Sequence, residues 1–503
     1  MKTNILLLLI WLTSISCMAQ YQVNADQLEK GYYMNPIFPG DYPDPSILVD
    51  GKDYYIVHSS FEYYPGLLIW HSTDLINWTP LTHALKTYVG SVWAPDMVKY
   101  EGKYYIYFPA SNTNYVVYAD NIEGPWSEPI ELDIESIDPG HITDDEGNRY
   151  LYFSNGSYVP LSKDGLKVTG ELTHSYDGWK IPREWSIECF CMEGPKLFKR
   201  GDYYYLTVAE GGTAGPATGH MVISARSKSP LGPWENSPYN PITRAQSNDE
   251  HWASVAHATP FEDAYGKWWM IYHGYENGFY NMGRQTFLMP LEWTNDGWYK
   301  LPDDASLSKP VKMPEGKHPK KTYSLNDSFD GKTLNPAWRF FEEYNTDRFE
   351  LTDENLIVEG KGEGVANSSP ILLMPSHHAY TADIELEVEG DAVGGLILFY
   401  NKQAFSGILA DSKNILTNLR GWQFVTEKDV IKRKVWLRLK AVNNTVDMYY
   451  SLDGKNWTKT ENSAEVSGLH HNVLSGFMAL RIGLVSMGKG KVIFKDFKYT
   501  PIK

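Results

Sequence analysis

Glu193 lies in Glu188-Cys189-Phe190-Cys191-Met192-Glu193-Gly194-Pro195-Lys196-Leu197, an apolar stretch that leads into an aromatic strand. Burial disfavours the charged form of a carboxyl, so Glu193 is expected to titrate high, hold a proton near neutral pH and give it to a leaving oxygen. A buried Glu paired with Arg or Lys would be perturbed as well, so this segment alone does not separate catalysis from structure. Two further segments shift the balance. Asp44 in Tyr42-Pro43-Asp44-Pro45-Ser46 and Asp138 in Ile137-Asp138-Pro139-Gly140 stand in the same place relative to an aromatic-rich strand. Asp-Pro alone makes ordinary turns, but three carboxylates at equivalent positions of a repeat point to one shared acid–base site.

The elements that must position them recur five times between residues 33 and 305. The aromatic strands are Asp53-Tyr54-Tyr55-Ile56-Val57, Lys103-Tyr104-Tyr105-Ile106-Tyr107, Arg149-Tyr150-Leu151-Tyr152-Phe153, Asp202-Tyr203-Tyr204-Tyr205-Leu206 and Lys267-Trp268-Trp269-Met270-Ile271. A period of roughly 50 residues with several short strands per unit and no long helical periodicity predicts a five-bladed β-propeller. In a propeller the first strand of each blade lines the axis, which brings Asp44, Asp138 and Glu193 together from blades one, three and four. Blade two contributes Trp93-Ala94-Pro95-Asp96, and blade five contributes Ala256-His257-Ala258. The proline after each aspartate is expected to hold the Asp backbone extended.

Residues 306–322, rich in Pro and Lys, read as a linker, and the alternating segments of residues 323–503 read as a β-sandwich, giving an all-β chain. Residues 1–19 read as an export signal: Lys2, a short apolar run and small residues up to Ala19. The expectation is an exported protein, periplasmic or secreted, with Cys17 offering a lipoprotein anchor and no later stretch long enough to span a membrane. Behind the signal only Cys189 and Cys191 remain. One intervening residue argues against a disulfide, so both are expected unpaired, at alternate positions of a strand packing around Glu193. The formal charge of −16 disfavours nucleic acid. The 14% aromatic content suits surfaces that stack on sugars.

Taken together, Asn35-Pro36-Ile37, Asp41 to Ser46, Ser59 to Gly66, Trp93 to Asp96, Ile137-Asp138-Pro139, Met192 to Pro195, Ala209 to Thr213 and Gly283-Arg284-Gln285-Thr286 resemble glycoside hydrolase family 43. The resemblance spans nearly the whole chain behind the signal. It implies a propeller followed by a concanavalin-like sandwich, with Asp44 as general base, Glu193 as general acid and Asp138 as the residue that orients the acid and raises its pKa. An inverting glycosidase needs such an acid and base about 6.5–9.5 Å apart, leaving room for water. The resemblance further implies that Arg284 donates to sugar hydroxyls, with Phe61 and Trp93 as walls for the sugar ring. His257 would help hold a central water or a structural Ca2+ ion; Ala256, where many members carry glycine, departs from the pattern there. No cofactor is otherwise implied. His220 matches a family histidine without an assigned role.

Family members mostly release pentoses. The Phe61–Gly66 insertion and the sandwich resemble the members that act at chain ends, so the expected activity is inverting, exo-acting removal of α-L-arabinofuranose or β-D-xylose from plant polysaccharides or oligosaccharides. The alternatives are an endo-acting arabinanase and a propeller that binds polysaccharide without cleaving it; the presence of all three acids argues against the latter.

Overall fold

In the computed structural model, which describes residues 28–319 and 323–502, each aromatic strand is the second strand of an antiparallel sheet. The first sheet runs Ser46–Asp50, Asp53–Val57, Gly66–Ser72, Thr79–Leu85, and the second runs Asp96–Tyr100, Lys103–Ala110, Thr113–Ala119, Ile130–Glu131. The third and fourth begin at Gly140–Thr143 and Met192–Arg200. Tyr, Trp and β-branched residues fit these strands because they fill the half-buried pleat between neighbouring blades.

The fifth sheet has three strands of its own, Trp252–Glu262, Trp268–Glu276 and Arg284–Pro290. The start of the chain completes it. Ile37 and Phe38 donate backbone N–H groups to the Thr286 carbonyl, and the Asn35 side chain donates to the Leu288 carbonyl while accepting from its N–H. The ring is thus closed by strand-like pairing of its first segment against its last, which leaves no open blade edge there.

Beneath the axial end of the strands, Asp96 ties four blades together. Its carboxylate accepts from Ser46 Oγ at 3.3 Å, from the His141 backbone N–H at 2.8 Å and from Lys196 Nζ at 2.7 Å. Asp96 and Lys196 are both buried. The blade-two member of the repeat is therefore a structural carboxylate.

The C-terminal region is a sandwich whose two sheets share two long strands, Ala379–Asn401 and Arg481–Pro501. The alternating segments 382–388 and 395–400 are two halves of the first. One half pairs with Lys434–Val442 and the other with Ala404–Ala410. The corner between them carries Gly390 with φ of 73°, where a side chain would be strained. Trp338 is buried and Trp422 is exposed on the edge strand Trp422–Glu427.

The described part of the expected 306–322 linker runs along the propeller. Val311–Lys312 pairs with Tyr32–Tyr33, and Leu307 and Met313 pack on the propeller core. The sandwich is docked too: Arg339–Phe341 pairs with Tyr63–Tyr64 of the first blade, and Phe61 and Tyr63 belong to the sandwich core. The export signal, residues 1–19 with Cys17, lies outside the described residues; no helix among the described residues is long and apolar enough to cross a membrane.

Candidate active site

Asp44, Asp138 and Glu193 do converge, at the end of the axis, in a cavity of about 100 Å³ that Phe61, Trp93, His257 and Arg284 also line. The backbone that presents them is not the extended one expected from Asp-Pro. Asp44 and Asp138 both have φ of 56°, His257 has φ of 55° and Gly194 has φ of 60°. The same left-handed kink thus recurs at the axial turn of four blades. Aspartate tolerates this conformation better than most residues, and close packing at the axis overrides the bias of the following proline.

Asp44 is buried and fully engaged. Its Oδ1 accepts from Arg284 Nη1 at 2.8 Å and lies 3.3 Å from His257 Nδ1, while its Oδ2 accepts from Ser59 Oγ at 2.5 Å. Its backbone N–H donates to His273 Nδ1 at 2.9 Å. Burial alone would raise this carboxyl, but the Arg284 guanidinium, then His257 and His273, outweigh it and hold Asp44 well below the usual range. It is a carboxylate at any physiological pH.

Asp138 is the opposite case. Burial, then the facing Glu193 and Asp44 carboxylates, push it well above the usual range, although its Oδ2 accepts from the Gly194 backbone N–H at 3.3 Å. Glu193 feels the same burial but lies 3.0 Å from His220 Nε2, and that imidazole holds it down to about 2. The expectation that Glu193 itself titrates high is therefore corrected. Atoms of Asp138, Glu193 and His257 lie within 4.8 Å of one another, and such a pair keeps one proton between its members. Of the two, Asp138 is the one pushed up and so favours the proton over Glu193.

Arg284 is buried, with Nη1 committed to Asp44 and Nε without a protein partner among the described residues. Phe61 is buried yet faces the cavity, and Trp93 stands at the rim with its Nε1–H donated to Ser91 Oγ. His257 bridges the two sides, 3.3 Å from Asp44 and 4.0 Å from Glu193 Oε1. Burial lowers it to about 4, so it is neutral and stands as a spacer between them.

Calcium takes about six to eight oxygen ligands. The three-residue clusters here are Asp44 with His257 and His273, and Asp138 with Glu193 and His257. They supply imidazole nitrogens, and the guanidinium on Asp44 Oδ1 would repel a dication. These side chains do not fit a protein-held Ca2+ ion. His220 Nδ1, His257 Nε2 and His273 Nε2, without protein partners among the described residues, suit ordered water.

Cys189 and Cys191 are joined, contrary to expectation. Both precede the strand Met192–Arg200, in a loop that curls their Cα atoms to 5.2 Å. An extended strand would hold them roughly 6.6 Å apart and point them to one face.

The wall that the sequence did not reveal comes from the sandwich. Phe477 enters the cavity, 5.9 Å from the Trp93 ring and 5.3 Å from the Arg284 guanidinium, and stacks on His471 at 3.6 Å. Below it, Arg481 Nη2 reaches Asp41 Oδ2 at 3.4 Å, and Asp41 Oδ1 accepts from the Arg284 backbone N–H. Gly476 beside Phe477, in a stretch without strand alternation, is the only local hint of this inserted loop.

A propeller whose axis carries an ionised carboxylate facing a proton-sharing pair matches a known architecture. The family model described as glycosyl hydrolases family 43 matches residues 33–299, and the beta xylosidase C-terminal concanavalin A-like domain matches residues 326–500. The chain belongs to glycosyl hydrolase family 43. This family 43 chain is 28% identical to the non-reducing end alpha-L-arabinofuranosidase BoGH43B of Bacteroides ovatus, over 98% of its own length and 97% of the relative's. It is 29% identical to a xylan 1,3-beta-xylosidase from Vibrio sp, over 84% and 89%. The crystal structure of the GH43 protein BlXynB from Bacillus licheniformis superposes with a TM-score of 0.84 at 26% identity, covering 94% of this chain and all of that one.

Proposed function

We propose that this family 43 hydrolase is an inverting, exo-acting pentosidase that removes terminal α-L-arabinofuranose or β-D-xylose from plant polysaccharides or their oligosaccharides. The observation that carries the reading is the split of the axial carboxylates into an ionised Asp44 and a proton-sharing Asp138–Glu193 pair, in a cavity capped by Phe477. Asp44, fixed by Arg284 and Ser59, takes a proton from the attacking water. Glu193, the more exposed member of the pair, passes the shared proton to the leaving oxygen, and Asp138 keeps that proton available. The Arg284 side chain lines the cavity and is placed to donate to a sugar hydroxyl, with Phe61 and Trp93 as walls for the ring. The Phe477 cap favours chain ends over internal bonds. The relatives named as an arabinofuranosidase and a xylosidase support both sugars. The axial imidazoles hold water, so chelators leave the rate unchanged. Export by residues 1–19, with Cys17 as an anchor, suits a polymeric substrate met outside the cell.

The test is hydrolysis of 4-nitrophenyl α-L-arabinofuranoside and β-D-xyloside by the parent protein and by Asp44→Asn, with the first-formed anomer followed by NMR. The expected outcome is turnover of at least one substrate with inversion, reduced about 10³-fold in the variant. Retention of configuration, or full activity of Asp44→Asn, rejects the mechanism.

A further inference from the structure

The cavity is closed unevenly. Phe477 and its loop cover the side formed by Phe61, Arg284 and Trp93, where Asp44 also lies. The ring contacts of Phe477 among the described residues are with Trp93, Arg284 and His471, whereas Ile137, Asp138, Glu193 and Thr213 from blades three and four line the rest of the cavity. Glu193 marks this as the side from which a leaving group departs.

On that rim the loop before Glu193 is pinned from both directions. The Glu188 backbone N–H donates to the Gly211 carbonyl at 2.9 Å, the Gly211 N–H donates to the Cys191 carbonyl at 3.2 Å, and Glu188 Oε2 accepts from the Ala214 N–H at 2.8 Å. The packing is close enough that a Cβ at Gly215 would lie 2.4 Å from Glu188 Cβ. The Cys189–Cys191 link closes a three-residue ring on top of this frame. The residue inside the ring is Phe190, which is 82% exposed, the most exposed large hydrophobic side chain among the described residues. Even fully extended, three residues span only about 10 Å, so the Phe190 backbone lies no more than one or two sugar units from that of Glu193.

We propose that Phe190, held out by the Cys189–Cys191 ring, is a stacking platform for the sugar chain beyond the scissile bond. This rests on the exo-pentosidase reading above, since it assigns the leaving-group side. An aromatic face packs on the C–H face of a pyranose or furanose ring. The pinned loop pays little ordering entropy when the sugar arrives, which is what a rigid aromatic anchor supplies.

The experiment uses the full chain carrying Glu193→Gln, which binds without turnover, and titration calorimetry with β-1,4-xylotriose, α-1,5-arabinotriose and the free pentoses. Adding Phe190→Ala is expected to weaken the bound trisaccharide about tenfold relative to its pentose, and Phe190→Tyr is expected to restore it. Equal loss for trisaccharide and pentose, or no loss for either, overturns the platform. Failure of the underlying reading looks different: the chain with Glu193 intact then hydrolyses neither trisaccharide and the Glu193→Gln protein binds neither pentose, which rejects the platform as well.

Discussion

In the proposed mechanism Asp138 and Glu193 divide one proton, and that division would set the pH range in which the site works. Asp44, held well below the usual carboxylate range, loses its proton first as pH rises and supplies the acid limb of the rate profile. The alkaline limb is loss of the proton that the Asp138–Glu193 pair retains. Replacing Asp138 by Asn removes the carboxyl that favours keeping the shared proton and leaves Glu193 beside His220 and His257, which favour its charged form, so the proton is lost more easily. The expected outcome for Asp138→Asn is an alkaline limb of kcat/KM displaced to lower pH, with the neutral-pH loss larger for a disaccharide than for a 4-nitrophenyl glycoside. A limb that stays in place or moves up rejects the shared-proton assignment. At this scale the equivalent positions in the repeat predicted that the three carboxylates converge, as they do, but not which of them would favour the proton. That depends on His220, which stands just before the third strand of the same blade, Met221–Ser227, and lies 3.0 Å from Glu193; the sequence matched it to a family histidine without giving it a role.

The blades explain both what was legible and what was not. Aromatic alternation is local, so four of the five expected aromatic strands appear within a few residues of where the repeat put them, and Asp53–Val57 coincides. The kink that aims Asp44, Asp138 and His257 is set by crowding at the axis, and local proline preference pointed the other way. The repeat also suggested that blade two offers an equivalent residue to the site, whereas Asp96 faces Lys196. This ion pair is buried on both sides, and removing one partner leaves an uncompensated charge costing about 3–5 kcal/mol. Asp96→Ala is expected to lower the thermal midpoint by on the order of 10 °C, while replacing the pair by Asp96→Leu with Lys196→Met recovers much of it. Thermal unfolding followed by circular dichroism checks this; an unchanged midpoint in the single variant would mean that the four blades do not rely on the network.

Across the whole molecule, propeller and sandwich are one mechanical unit, because neither completes the site or its own packing alone. Phe61 and Tyr63 leave the first blade to join the sandwich core, Phe477 returns from the sandwich to cap the cavity, and Arg481 pairs with Asp41 behind Arg284. A second tie joins them through Glu276, which accepts from His378 Nε2 of the sandwich at 2.7 Å, while His378 stacks on Phe279. Periodicity cannot announce such contacts, which join residues hundreds of positions apart and depend on how two finished sheets dock. Interfaces between domains of one chain are usually polar and separable, whereas this one shares an apolar core and buries charge. A fragment ending at residue 319 would expose Phe61 and Tyr63 and leave Asp41 buried without Arg481. Its five sheets and the Asn35–Phe38 closure are intact, so it is expected to keep its β-sheet circular dichroism. Its kcat/KM on the preferred 4-nitrophenyl pentoside is expected to fall on the order of 100-fold, as a displaced Arg284 and an absent Phe477 wall loosen the sugar and the base together. A fragment that folds and turns over at the rate of the full chain would show that the sandwich only accompanies the site.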